Sequence, residues 1–280
     1  EEAANKEIAR NLYHVNSLLL AAKTDDAQKK EMLLYHRNVE QTILTGIGNL
    51  SIQVEETGIA QEIDELLYYV NQRVSYRFSE VFDRNFVSLA QPKEKQRANA
   101  VRLCLWELVQ DLEIELAQEI RATSLRVEKF VLESLNLVLR RLTGVILQHE
   151  QQFRLQSQFE GQAPGNFELP ALNWESQALA QVPALYRNPK DWVEGKGRTK
   201  MREAVWTAVH PQISTWLNAC GNSLKQQYGV FFMQSANLLK EETGREVVEY
   251  YSGLSAALGN AYDISSLEGV RENIERLQGE

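Results

Sequence analysis

Very little in this sequence bends, cross-links or ligates. Its two cysteines, Cys104 and Cys220, lie far apart and in no CxxC arrangement, which excludes a disulfide framework and a cysteine zinc site. Their spacing leaves open two buried thiols or one bridge between antiparallel helices. The four histidines, His14, His36, His149 and His210, follow Asn11, Leu33, Ile146 and Thr207 at three residues' distance. None completes the Glu-x-x-His pair of a di-iron bundle, so satisfied or solvent-facing imidazoles are expected. No apolar run approaches the roughly 18 residues of a membrane-spanning helix, and Leu18 to Ala22 is too short even for a signal segment. A soluble protein is the expectation. It opens on Glu1 without a methionine, which suggests a piece of something longer.

Basic charge is also in short supply. A formal charge of −8 argues against a general nucleic-acid binder, which needs a basic field to replace phosphate counterions. The exception is local: Arg187, Lys190, Lys196, Arg198, Lys200 and Arg202 stand against Asp191 and Glu194 alone. Gly195-Lys196-Gly197-Arg198-Thr199-Lys200 is not a phosphate loop, because Lys190 occupies the place of the first Walker glycine and Gly197 follows the lysine. With no Ser-His-Asp or Cys-His constellation either, no catalytic residue, cofactor site or metal site is assigned.

Against these absences stands one long pattern. Val101, Leu105, Leu108, Leu112, Leu116, Ile120, Ser124, Val127, Val131, Leu135, Val138, Leu142 and Val145 recur at steps of three and four, the apolar stripe of a single helix. No Gly or Pro interrupts it between Pro92 and Gly144, and Glu107, Asp111, Glu115, Glu119, Arg126, Glu133 and Arg140 fall on the opposite face. At about 1.5 Å per residue such a helix exceeds about 60 Å and needs partners of similar length. The fold predicted is all-α: an elongated antiparallel helical bundle, a stalk, with long kinked helices and one Pro/Gly-rich tip loop.

The remaining helices are predicted over Ala3–Lys23, from Asp26 to a joint between Thr45 and Ile59, and over Ile59–Leu89. Gly46, Gly48 and Gly58 mark the joint. The long helix is expected to continue as a polar extension to about Gln158. Four of the six prolines then fall between Gly161 and Gly197, which breaks the helical pattern. A further helix is predicted from Asn188-Pro189 with Trp192 near its start, kinked at Pro211 and ending near Leu239. Glu246–Tyr262 and Ser266–Leu277 are the last.

Three strings, Tyr69-Val70-Asn71-Gln72-Arg73-Val74-Ser75-Tyr76-Arg77-Phe78, Leu116 to Phe130 (LAQEIRATSLRVEKF) and Asn188 to Arg198 (NPKDWVEGKGR), together resemble the helical region that follows the GTPase domain in bacterial dynamin-like proteins. The resemblance covers about residues 70 to 240. It implies a stalk whose GTPase head lies outside this chain: neck from 1–56 and 240–280, trunk from 57–157 and 200–239, and a paddle-like tip at 158–199. GTP and Mg²⁺ would belong to the missing head, so this chain would hold no cofactor and would not be an enzyme. It would be cytoplasmic and peripherally membrane-bound, with anionic lipid as partner and self-association along its sides.

The residues of that reading follow from position and chemistry. Phe159, Phe167, Leu169, Leu172, Trp174, Tyr186, Trp192 and Val193, with Lys190, Lys196, Arg198 and Lys200, are the membrane-contact candidates, because apolar wedges beside cations suit an anionic lipid surface. The alternative is that the tryptophans fold back to cap the bundle. Arg73 and Arg77, four apart on one face, and Arg121 and Arg126 are the assembly candidates, with intramolecular carboxylates as the competing partners. A cytoplasmic protein-interaction scaffold with no membrane role is the rival function.

Overall fold

The computed structural model describes residues 2–22, 26–86, 97–151, 153–156, 158–159, 161–165, 167–172, 174, 196–259 and 264–279. Among them are six helices and no strand: α1 (Glu2–Ala22), α2 (Asp26–Asn49), α3 (Gln53–Asn85), α4 (Arg97–Leu147), α5 (Lys196–Gly259) and α6 (Ile264–Gly279). The chain is an all-helical bundle, as its apolar periodicity predicts. It divides into two compact units. The first holds Glu1–Glu56, Val131–Gln162 and Phe231–Glu280, and the second holds Thr57–Phe130 and Ala163–Val230. α4 and α5 contribute to both.

The α4 stripe forms a core in each unit. Leu105, Leu108, Leu112, Leu116, Ile120 and Val127 are buried in the second, and Val131, Leu135, Val138 and Leu142 in the first. Each such side chain contributes about 1.5 to 3 kcal/mol on leaving water, so the stripe outweighs any polar contact beside it. Ser124 fills its slot without cost because its hydroxyl donates to the Arg121 carbonyl, while its own carbonyl accepts from the buried Tyr228 hydroxyl.

Ion pairs in the second unit show the helix directions. Arg73 reaches Glu119 at 3.1 Å, Arg77 reaches Glu115 at 3.7 Å and Arg84 reaches Asp111 at 3.5 Å, so α3 and α4 are antiparallel. Lys225 meets Asp64 at 2.6 Å and Arg198 meets Asp83 at 2.8 Å, so α3 and α5 are antiparallel too. α4 and α5 therefore run the same way, and the chain between them leads from the first unit back to the second. Most of the expected tip at 158–199, residues 175–195 among them, lies outside the described residues.

In the first unit α2 runs against α5: the ammonium of Lys240 donates to the carbonyls of Gly48 and Leu50 at 3.2 and 3.0 Å, closing the end of α2. Ser51 Oγ then accepts from the Gln53 amide at 3.4 Å, and Glu55 and Glu56 occupy the first turn of α3, where carboxylates suit the helix dipole. Glu55 is buried and pairs with Arg141. A smaller apolar cluster of Val15, Leu18, Leu19, Ala257 and Leu267 joins α1, α5 and α6.

Several boundaries differ from expectation. α4 stops at Leu147 instead of extending to Gln158, because Gln148 to Gln152 offer no stripe and Phe153 turns inward, its ring 5.1 Å from and nearly perpendicular to that of Tyr250. α5 runs unbroken from Leu239 into Glu246, where a break was expected, and it carries Pro211 within its span. Pro211 is exposed, so the carbonyl that loses its helical donor faces water, and the roughly 3 kcal/mol cost of an interior proline is outweighed by buried Val205, Val209, Ile213 and Leu217 on either side. The joint between α2 and α3 is confined to residues 50–52, with Gly46 and Gly48 inside α2 and Gly58 inside α3. The expected helix start at Asn188 lies outside the described residues. Cys104 and Cys220 are both buried and are not joined by a disulfide, and burial pushes the Cys220 thiol up to about 12.

Two glycines separate close packing from mere tolerance. A Cβ at Gly46 would sit 2.7 Å from Val145 Cγ1, whereas one at Gly229 meets nothing within 4 Å. Val145 is β-branched and stiff in a helix, so Gly46→Ala is expected to destabilise the protein by about 1 to 2 kcal/mol despite its better helix propensity. Gly229→Ala is expected to stabilise by about 0.5 to 1 kcal/mol. Urea denaturation of both variants tests the pair of signs.

Candidate functional site

Three regions concentrate the side chains able to recognise something: the segment after α4, the start of α5, and the outer face of α4. The first is held against the bundle at several points. In the first unit the Tyr13 hydroxyl donates to Glu150 at 3.3 Å and the Phe159 amide donates to Asn136 Oδ1 at 2.8 Å. In the second the Trp216 indole N–H donates to the Pro170 carbonyl at 2.8 Å. Phe159, Phe167, Leu169, Leu172 and Trp174 are all half-buried, and the Trp174 indole N–H is buried without a partner. Tyr186, Lys190, Trp192 and Val193 lie outside the described residues, as does the side chain of Lys196.

At the start of α5, Arg198 is engaged within the chain. Its guanidinium donates twice to Asp83 Oδ1, at 3.1 and 2.8 Å, and at 3.3 Å to the Asp83 carbonyl. It also stands 5.8 Å from the centre of the Phe82 ring, a cation–π distance. This fork clamps the start of α5 to the end of α3. Of the basic residues proposed for lipid contact, Lys200 is the one whose described side chain is exposed.

The assembly candidates divide in the same way. Arg73 and Arg77 pair with Glu119 and Glu115 across α3 and α4, so the competing intramolecular partners hold them. Pairs this exposed contribute about 0.2 to 1 kcal/mol each and mainly set register. Arg121 and Arg126 are exposed on α4. Between the charges of that outer face lie four exposed apolar side chains that the sequence reading passed over: Leu103, Trp106, Ile114 and Leu125, each more than half accessible. Their signal in the sequence is the eleven-residue spacing of Leu103, Ile114 and Leu125, which returns to one face after three helical turns and is out of phase with the stripe that fills the core.

Other clefts are lined by polar side chains, and one of about 270 Å³ in the first unit carries Arg10, Tyr13, His14, Glu249 and Tyr250. A groove of about 600 Å³ between α3 and α5 is lined by Asp64, Tyr68, Asn71, Asn218, Asn222 and Lys225, amides and one ion pair, which can exchange hydrogen bonds but provide no acid–base couple. Among the described residues no group of His, Cys, Asp and Glu could hold a metal ion, and no helix is long and apolar enough to cross a membrane.

The first unit also contains a buried aromatic cluster. Tyr13 stacks on Tyr250 at 5.1 Å, Tyr250 meets Tyr251 edge-on at 5.1 Å, and His36 lies 6.0 Å from Tyr251. Burial raises the phenols of Tyr250 and Tyr251 well above their ordinary value. Burial also lowers the His36 imidazole, against the opposing pull of Glu150, and its Nδ1 has no partner. Below about pH 6.5 the unfolded chain binds a proton here that the folded chain resists. Stability is therefore fully present above that pH and falls as acid is added. Thermal melts at pH 7.5 and 5.5 are expected to show a larger loss for the wild type than for His36→Phe; equal losses would assign the acid sensitivity to other groups.

Comparison of the chain with protein-family models, with curated proteins and with solved structures returned no match.

Proposed function

We propose that this chain is the helical stalk of a bacterial dynamin-like protein, working mechanically by self-association and by peripheral attachment to an anionic membrane at the cytoplasmic face. A GTPase head outside this chain would supply the nucleotide chemistry, with GTP and Mg²⁺ bound there and no catalysis in the stalk. The observation that carries the reading is the sharing of α4 and α5 by both compact units. Two unbroken helices give a displacement at one unit a hydrogen-bonded path into the other, which is what a lever between a motor and a membrane requires. The three sequence strings quoted above add to it, as does the excess of cations between Arg187 and Arg202 beside Trp192.

A second reading, a cytoplasmic helical scaffold for protein partners with no membrane role, is favoured by a specific observation. Phe159, Phe167, Leu169, Leu172 and Trp174 are half-buried and Arg198 is clamped to Asp83, so part of the lipid-contact set is already engaged within the chain.

Co-sedimentation with neutral and anionic vesicles at low and high salt separates the two. The stalk reading expects binding to anionic vesicles alone, weakened by salt and by Trp192→Ala combined with Lys190→Ala. Absence of binding to any vesicle by folded wild-type protein would transfer the assignment to the scaffold.

A further inference from the structure

The outer face of α4 is self-complementary. Placed on a helical wheel, Leu103, Glu107, Gln110, Ile114, Gln118, Arg121 and Leu125 fall within about 40° of one line, and all lie in the second unit. From Leu103 to Leu125 this line runs about 33 Å. Leu103, Ile114 and Leu125 are 56%, 57% and 66% exposed, an unusual placing for aliphatic side chains that share one line. Arg121 is exposed as well and forms no ion pair with another described residue.

These residues are placed symmetrically about Ile114, alike in kind except for one pair of opposite charge. Eleven positions before it stands Leu103 and eleven after it Leu125; four positions before it stands Gln110 and four after it Gln118; seven before stands Glu107 and seven after Arg121. A second α4 laid antiparallel with its dyad at Ile114 therefore sets leucine against leucine, amide against amide and Ile114 against itself. The only charges on the line meet as two Glu107–Arg121 pairs of opposite sign. Trp106, 61% exposed, stands one residue from Glu107 and so beside the partner's Arg121, where a guanidinium over an indole face adds a cation–π contact. The like-charged Arg102 and Arg126 lie well off the line. A parallel pairing would instead set Glu107 against Glu107 and Arg121 against Arg121.

We propose that two copies of this chain associate through this face of α4, antiparallel about a two-fold axis at Ile114, as an isologous interface. The inference gives the self-association part of the proposed function a surface and a register and rests on that part alone; vesicle binding tests the lipid part separately.

Sedimentation velocity over a wide concentration range tests it. The wild type is expected to form a dimer, and Arg121→Glu, which opposes two pairs of carboxylates across the interface, is expected to weaken it by at least about tenfold. Combining it with Glu107→Arg restores opposite signs and is expected to restore the dimer, an outcome no merely structural role for either residue predicts. A monomeric wild type, a dimer indifferent to Arg121→Glu, or a swap that fails to restore association overturns the proposal. Register is read independently by Ile114→Cys, which is expected to form a disulfide with its own copy under mild oxidation. Cys104 and Cys220 are buried and leave that reading clean; a dimer in which this cross-link does not form overturns the antiparallel register. Arg121 and Ile114 are exposed and Glu107 is half-buried, and circular dichroism verifies that each variant is folded.

Discussion

Burial of one helix stripe governs the rest of this molecule. Leu105 through Leu142 leave water along α4 in both compact units, and each of those side chains outweighs several of the ion pairs beside it. The other helices are arranged to cover that stripe. α3 lies antiparallel along it in the second unit, and α2 passes it in the first, where Glu55 meets Arg141 and Gly46 sits against Val145. The charged pairs between α3 and α4 flank that buried stripe in one common register.

The polar devices are sited where chain geometry leaves groups exposed to loss. Lys240 satisfies the last carbonyls of α2, Ser51 begins α3, and Arg198 fixes the start of α5 to the end of α3. Each acts at a helix end, where four backbone groups lack helical partners. The middle of each helix needs no such help, which is why α5 can carry Pro211 on its exposed side without breaking.

How much of this was legible in the sequence depended on period. The α4 stripe and the all-helical class follow directly from steps of three and four, and the residues so chosen from Leu105 to Leu142 are buried. Helix ends were less legible, because Leu147 stops α4 for a tertiary reason, the inward turn of Phe153 onto Tyr250. The expected break between Leu239 and Glu246 is absent from α5, because the local pattern shows polar residues there and does not show the distant surfaces that bury Leu239 and Val247. Arg73 and Arg77 were marked as charged and adjacent, but only the antiparallel approach of α4 shows that Glu119 and Glu115 reach them. The outer face of α4 was missed because the stronger stripe masks a weaker one out of phase with it.

The parallel course of α4 and α5 has a bearing on how the chain folds. An antiparallel pair such as α3 and α4 can close from its connecting turn outward, each new contact following from the last. α4 and α5 have no such start, since the chain from Gln148 to Gly195 must first be carried back before their side chains can meet. The entropy of closing so long a loop grows only logarithmically, by about 0.6 kcal/mol per doubling, so the equilibrium cost is modest. The kinetic cost is greater, because that entropy is lost before any contact compensates for it. α5 should therefore dock last, onto a surface that α3 and α4 have already built, and the second unit is complete only when the C-terminal half of the chain has arrived.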